Sequence, residues 1–177
     1  MENGTKRLAV SALLVAVDVV LTRLLAINTP VMKIGLGFAA TALCALLYGP
    51  WWTAGLAALA DLLGSLLFPT GAYFPGFTLT AACTGLLYGL CLYGRGRDWK
   101  GPILAALLNS LLISYLANTA MISFISGTPY RTLLGVRAVQ LFVMLPLQAL
   151  VLLWLTRSKL ICRTLEEARK TGQRRDD

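Results

Sequence analysis

The sequence predicts an all-α integral membrane protein: a six-transmembrane-helix bundle with both termini cytoplasmic. Three observations predict it. Of 177 residues, 57% are hydrophobic and 14% charged, with mean hydropathy +0.71, more apolar surface than a soluble domain of that size can hide. Six apolar runs recur along the chain, each near the roughly 20 residues that cross a hydrocarbon core. Basic residues and tryptophans collect at one boundary of those runs.

The first run, 6–27, opens on Lys6 and Arg7 and contains Asp18 and Arg23. It reaches full spanning length, so no cleavable signal is expected. Ala9, Ala12 and Ala16 fall on nearly one helical face, and small residues at that spacing let another helix approach closely. Spacing alone favours a helix of the same bundle over one of another subunit. The second run, 35–50, is short, and tilt or cover by its neighbours is expected. Tyr48-Gly49-Pro50 then turns the chain sharply into 52–68, where Asp61, Gly64 and Phe68 share a face.

That face leads into Phe68–Thr80, reading F-P-T-G-A-Y-F-P-G-F-T-L-T. Pro69 and Pro75 are expected to end helices and stiffen the backbone, while Gly71 and Gly76 permit close approaches. Tyr73, Phe74 and Phe77 are left offering flat faces, either to lipid headgroups or to a ligand. Run 77–94 carries Gly85-xxx-Gly89, read as packing within the bundle. Run 102–126 carries a polar stripe of Ser110, Ser114 and Asn118, with Tyr115 beside it. Gly127-Thr128-Pro129 is a second tight turn. Run 132–156 places Arg137, Gln140, Met144 and Gln148 near one face, with a kink expected at Pro146. Residues 1–157 form one membrane domain, and 158–177 a basic cytoplasmic tail that starts as an interfacial helix and frays.

Orientation follows from charge. Lys6, Arg7, Arg95, Arg97, Lys100 and the basic residues after 156 all fall on one side of a six-span topology, which the positive-inside rule makes cytoplasmic. Trp51, Trp52, Trp99 and Trp154 land at that same boundary. The net charge of +8 is therefore topological, and no nucleic-acid partner is expected. Arg23, Lys33, Arg131 and Arg137 lie instead toward the outer side. Internal pairing, for example Arg137 with Asp18 or Asp61, is one account of them. Two carboxylates cannot neutralise four cations, which favours an outward-facing anion site. Tyr115, Asn118, Arg137 and Gln140 sit at the depth of the Tyr73 loop, and such convergence points to a pocket.

Other chemistries are poorly supplied. There is no histidine. Cys44, Cys83, Cys91 and Cys162 lack paired-ligand spacing, so no metal and no cofactor are expected. No phosphate-cradling G-x-x-x-x-G-K-[ST] loop occurs. Asp18 and Asp61 could serve an intramembrane enzyme as a carboxylate pair, but no nucleophile accompanies them.

Against this background the loop Phe68–Thr78, Lys33-Ile34-Gly35-Leu36-Gly37-Phe38, Gly49-Pro50 and Asp61-Leu62-Leu63-Gly64 resemble the signature of the folate-specific substrate-binding subunit (S component) of energy-coupling factor (ECF) transporters. The resemblance covers Ala9 to about Leu155. It implies a non-catalytic, six-helix subunit in the lipid bilayer of a prokaryotic cell, with an outward-opening vitamin pocket. Its implied partners are folate or reduced folate, a coupling transmembrane subunit facing Ala9, Ala12 and Ala16, and two ATPase subunits. Toppling of the subunit within the membrane is likewise implied by the family alone. The pterin suits the rings and amides of Phe38, Phe68, Tyr73, Phe74, Phe77, Tyr115, Asn118 and Gln140. The dianionic glutamate suits Lys33 and Arg131, with Arg23 and Arg137 deeper. An S component for another vitamin, pantothenate or riboflavin, is the alternative, and a stand-alone channel or carrier is a third class.

Overall fold

The computed structural model describes residues 2–28, 33–69, 73–94 and 99–158; at 2, 3, 6, 27, 28, 33, 34 and 136 only the backbone is described. Six helical segments make up the described chain. α1 is Glu2–Val19 and continues as a π-helical turn, Val20–Leu24. A minimal antiparallel ladder follows, pairing Ile27 with Ile34 and Asn28 with Lys33. α2 is Gly37–Tyr48, α3 Pro50–Leu67 and α4 Pro75–Leu92. α5, Lys100–Ser126, is π-helical from Asn109 to Ala117, and α6 is Tyr130–Arg157.

Turn chemistry explains the boundaries. Gly49 has φ +82° between α2 and α3, and Gly127 closes α5 in the left-handed conformation at φ +65°, a geometry glycine adopts without steric cost. Pro50 and Pro75 occupy the first turns of α3 and α4, where a missing N–H costs nothing. Pro75 thus opens a helix instead of ending one, and Phe77 and Thr78 belong to α4, not to a loop. α6 runs as one helix through Pro146.

α4, α5 and α6 are long and apolar enough to cross a membrane. α2 is not: its 12 residues span about 18 Å, short of the ~30 Å hydrocarbon core. It is shorter than the 35–50 run that predicted it, since it begins only at Gly37, Gly49 turns the chain at φ +82° and Pro50 already opens α3. Covering by neighbours compensates, since Ala42 and Ala45 are fully buried.

The main core lies among α2, α4, α5 and α6, where Ala42, Ala45, Ala105 and Ala106 pack around Tyr88 and Leu152. Alanines at these contacts let the helices approach closely. Val15, Val19 and Ala60 form a smaller cluster between α1 and α3. α3 and α4 make the most extensive helix pair, because a Cβ on Gly85 would sit 2.6 Å from the Thr53 carbonyl oxygen and one on Gly89 2.1 Å from Pro50 Cα. The Gly85-xxx-Gly89 pair therefore serves internal packing, as its spacing predicts. At the opposite end from Tyr73, the Arg7 guanidinium lies 4.3 Å from the Trp52 ring and 5.2 Å from Tyr48. Trp52 Nε1 donates to Ser11 Oγ at 3.0 Å. These contacts pin the start of α1 to the α2–α3 turn.

Candidate functional site

Polar side chains gather where the end of α1, the end of α3, the start of α4 and the end of α5 converge. Arg23 projects from the π turn onto α3, its Nη2 3.4 Å from Asp61 Oδ1. Internal pairing, offered as one account of the outer cations with Arg137 as the example, is met here by Arg23, because α1 lies against α3. Asp61 Oδ2 accepts from Thr78 Oγ1 at 2.9 Å, and Thr78 Oγ1 lies 3.0 Å from the Tyr73 hydroxyl. Arg23 therefore brings a neutralised charge to this end of the bundle, not a free one.

The rings close the same end. Phe74 meets Phe77 edge-on, with centroids 6.3 Å apart, and lies 6.0 Å from Phe124 of α5. Tyr73 and Phe68 are exposed. Phe38, at the first turn of α2, is partly buried and packs against the main core. Arg131 is exposed at the start of α6. Lys33 is placed by its backbone pairing with Asn28; its side chain, like residues 70–72, Arg95, Arg97 and the tail after 158, lies outside the described residues.

A second polar group lies between α5 and α6. Ser110, Ser114, Tyr115, Arg137, Gln140, Leu141 and Met144 line a cavity far smaller than the ~300–1,000 Å³ of typical small-molecule pockets. A vitamin-sized molecule would extend beyond it. Arg137 is 4% exposed; its Nε donates to Gln140 Oε1 at 3.4 Å, while Nη1 is buried without a hydrogen-bond partner among the described residues. Tyr115 donates its hydroxyl proton to the Leu134 carbonyl at 3.0 Å, which ties the π-helical stretch to α6. Asn118 Oδ1 accepts from Thr80 Oγ1 at 2.9 Å. The first turns of α4 therefore serve both groups, Thr78 toward Asp61 and Thr80 toward Asn118.

Beneath this cavity Asn109 donates to Tyr88 OH at 3.1 Å and to Gln148 Oε1 at 3.3 Å. It accepts from Thr84 at 3.1 Å, and Ser110 donates to Gln148 at 2.9 Å. Sequence reasoning passed over Asn109 and the three α4 threonines. The available signal was an adjacent Asn-Ser pair inside an apolar run, and Thr78, Thr80 and Thr84 recurring along α4. Asp18 accepts at Oδ2 from Thr41 Oγ1 of α2 at 3.0 Å. Ala9, Ala12 and Ala16 are exposed on α1, so among the described residues they do not pack inside the bundle, contrary to what their spacing alone favours.

The family model described as ECF transporter, substrate-specific component, matches residues 6–156. The chain is 34% identical over 141 residues to the folate transporter FolT of Clostridium novyi (strain NT), covering 80% of this chain and 82% of that protein. It is 28% identical over 173 residues to the folate transporter FolT of Leuconostoc mesenteroides subsp. mesenteroides, covering 92% and 91%. A crystal structure of FolT bound with folic acid matches with TM-score 0.82 at 34% identity, over 86% of this chain and 93% of that one.

Proposed function

The chain belongs to the family of substrate-specific components of ECF transporters, and from that premise we propose that it is a high-affinity folate-binding subunit of an ECF-type importer. It is a membrane protein and a substrate-binding transport subunit, not an enzyme. The observation that carries the folate reading is the likeness, at TM-score 0.82 and 34% identity, to a FolT structure holding folic acid. Delivery across the membrane is assigned to a coupling transmembrane subunit and two ATPase subunits, which supply the hydrolysis this chain has no loop to perform.

The residues suit the ligand. The pterin is flat and edged with donors and acceptors, matched by the rings of Tyr73, Phe74, Phe77 and Tyr115 and the amides of Asn118 and Gln140. Arg137 offers a buried nitrogen, without a partner among the described residues, to a pterin carbonyl or a carboxylate. Arg131 and Lys33 are assigned to the dianionic glutamate; Arg23, offset by Asp61, contributes direction more than net charge. In this reading six spans cross the membrane, both termini and the 158–177 tail are cytoplasmic, and Ala9, Ala12 and Ala16 meet the coupling subunit.

Calorimetric titration of folic acid into the detergent-purified chain tests the reading. Wild-type protein binds, and Tyr73→Ala and Arg137→Ala both lose affinity; undiminished affinity in both variants removes the pocket. Unlabelled pantothenate or riboflavin displacing bound folic acid as well as folic acid itself would shift the substrate. Uptake into liposomes lacking ATPase subunits would instead make the chain a stand-alone carrier.

A further inference from the structure

Four side chains from four segments form one hydrogen-bond chain at the Tyr73 end of the bundle. Asp61 stands at its centre, with Arg23 Nη2 3.4 Å from Oδ1 and Thr78 Oγ1 2.9 Å from Oδ2. An ionised carboxylate only accepts, and a threonine hydroxyl carries a single proton. Thr78 gives that proton to Asp61, so the 3.0 Å contact between Tyr73 OH and Thr78 Oγ1 is made by the tyrosine donating. Every link then points toward Asp61. Gly64, three residues on, leaves the room this needs: a Cβ there would lie 2.9 Å from Arg23 Nε.

We propose that Asp61 and Thr78 are positioning residues, which hold the Tyr73 ring and the Arg23 guanidinium at fixed places over the folate site. The inference rests on the folate-binding reading. Neither residue needs to touch the ligand. Tyr73 is 47% exposed, and its hydroxyl is what ties the segment before α4 to helices α3 and α1. A ring held over a bound ligand must move before the ligand leaves, so the chain acts on the dissociation rate, where most affinity differences within one interface reside.

The test is the release rate of folic acid from the full-length, detergent-purified protein, followed by stopped-flow fluorescence. Thr78→Val keeps the shape and removes the hydroxyl; Tyr73→Phe keeps the ring. Each is expected to speed release about twofold to tenfold, the range of one net hydrogen bond. The double variant releases no faster than the faster single one, because both cut the same link. Thr78→Ser restores the wild-type rate. Gly64→Ala, whose Cβ would lie 2.9 Å from Arg23 Nε, is expected to speed release by displacing Arg23. Release at the wild-type rate in both Thr78→Val and Tyr73→Phe overturns the positioning role while leaving folate binding intact; so does simple additivity of the two. Failure of the wild-type chain to bind folic acid removes the folate reading itself. Tyr73→Phe alters only a surface hydroxyl, so the test survives if Thr78→Val folds poorly.

Discussion

Arg137 and Gln140 face each other across one turn of α6, Nε to Oε1 at 3.4 Å, and leave Arg137 Nη1 buried with no partner among the described residues. An unsatisfied buried donor costs ~1–3 kcal/mol, more when charged. Such a cost is tolerated where a ligand supplies the missing acceptor. Arg137→Leu is therefore expected to stabilise the ligand-free protein by about 1–4 kcal/mol, the range seen when buried charges become apolar. The same variant loses folic acid affinity by roughly 100-fold, as truncating one partner of a buried charged contact does. Thermal unfolding with and without folic acid reads both effects. Wild-type affinity in Arg137→Leu would falsify the contact.

Asn109 sits where α4, α5 and α6 exchange hydrogen bonds, with its amide spent on Tyr88, Gln148 and Thr84. Asn109→Leu fills the space but leaves Tyr88, which is fully buried, without that donor. A loss of ~1–3 kcal/mol is expected, visible as a lower melting temperature. Because Asn109 lies below the cavity, folic acid affinity at a temperature where the variant is folded stays within about threefold, a change worth under ~0.7 kcal/mol. A binding loss as large as that of Arg137→Leu would place Asn109 in the pocket instead.

Gly89 of α4 and Gly135 of α6 give opposite expectations for the same substitution. A Cβ on Gly89 would fall 2.1 Å from Pro50 Cα, which is backbone and cannot swing aside. Overpacking costs ~1–3 kcal/mol or more, against ~1 kcal/mol of regained helix propensity. Gly89→Ala is thus expected to lower the melting temperature. Gly135 has nothing within 4 Å, and Gly135→Ala is expected to leave it unchanged or raise it. Equal shifts in the two variants would mean that α3 and α4 are not in backbone contact.

These contrasts show what the sequence makes legible. Six apolar runs, the turns at Gly49 and Gly127, and the packing role of Gly85 and Gly89 are local properties, written in hydropathy and in residues with special φ. The choice of Arg23 over Arg137 as the partner of Asp61 is not local. It joins residues 38 apart and depends on α1 lying against α3. The π-helical stretch Asn109–Ala117 is also hidden, because widening the turn from 3.6 residues changes which side chains align without changing their hydropathy. The stripe of Ser110, Ser114 and Asn118 assumed α-helical winding. In the structure Ser110 turns to Gln148 and Asn118 to Thr80. Pro75 was misread for a related reason: proline is excluded from a helix interior yet favoured at its first turn, and only the fold decides which applies.

The small residues of α1 carry the last prediction. Ala12 and Ala16 are exposed, with Leu13 at 64% and Val17 at 40% beside them, so this face has no partner among the described residues. Lipid covers such a face indifferently, whereas a second helix packs closely only where the residues are small. Ala12→Trp and Ala16→Trp add bulk without disturbing the core, so folic acid affinity of the isolated chain is expected to stay at the wild-type value. Assembly with the coupling subunit is expected to fail, and ATP-dependent folic acid uptake in proteoliposomes to fall at least tenfold. Co-purification on a tagged coupling subunit and uptake of labelled folic acid measure the two steps separately. Normal uptake with both tryptophans present would show that this face meets only acyl chains, and the docking surface would have to be sought on another helix.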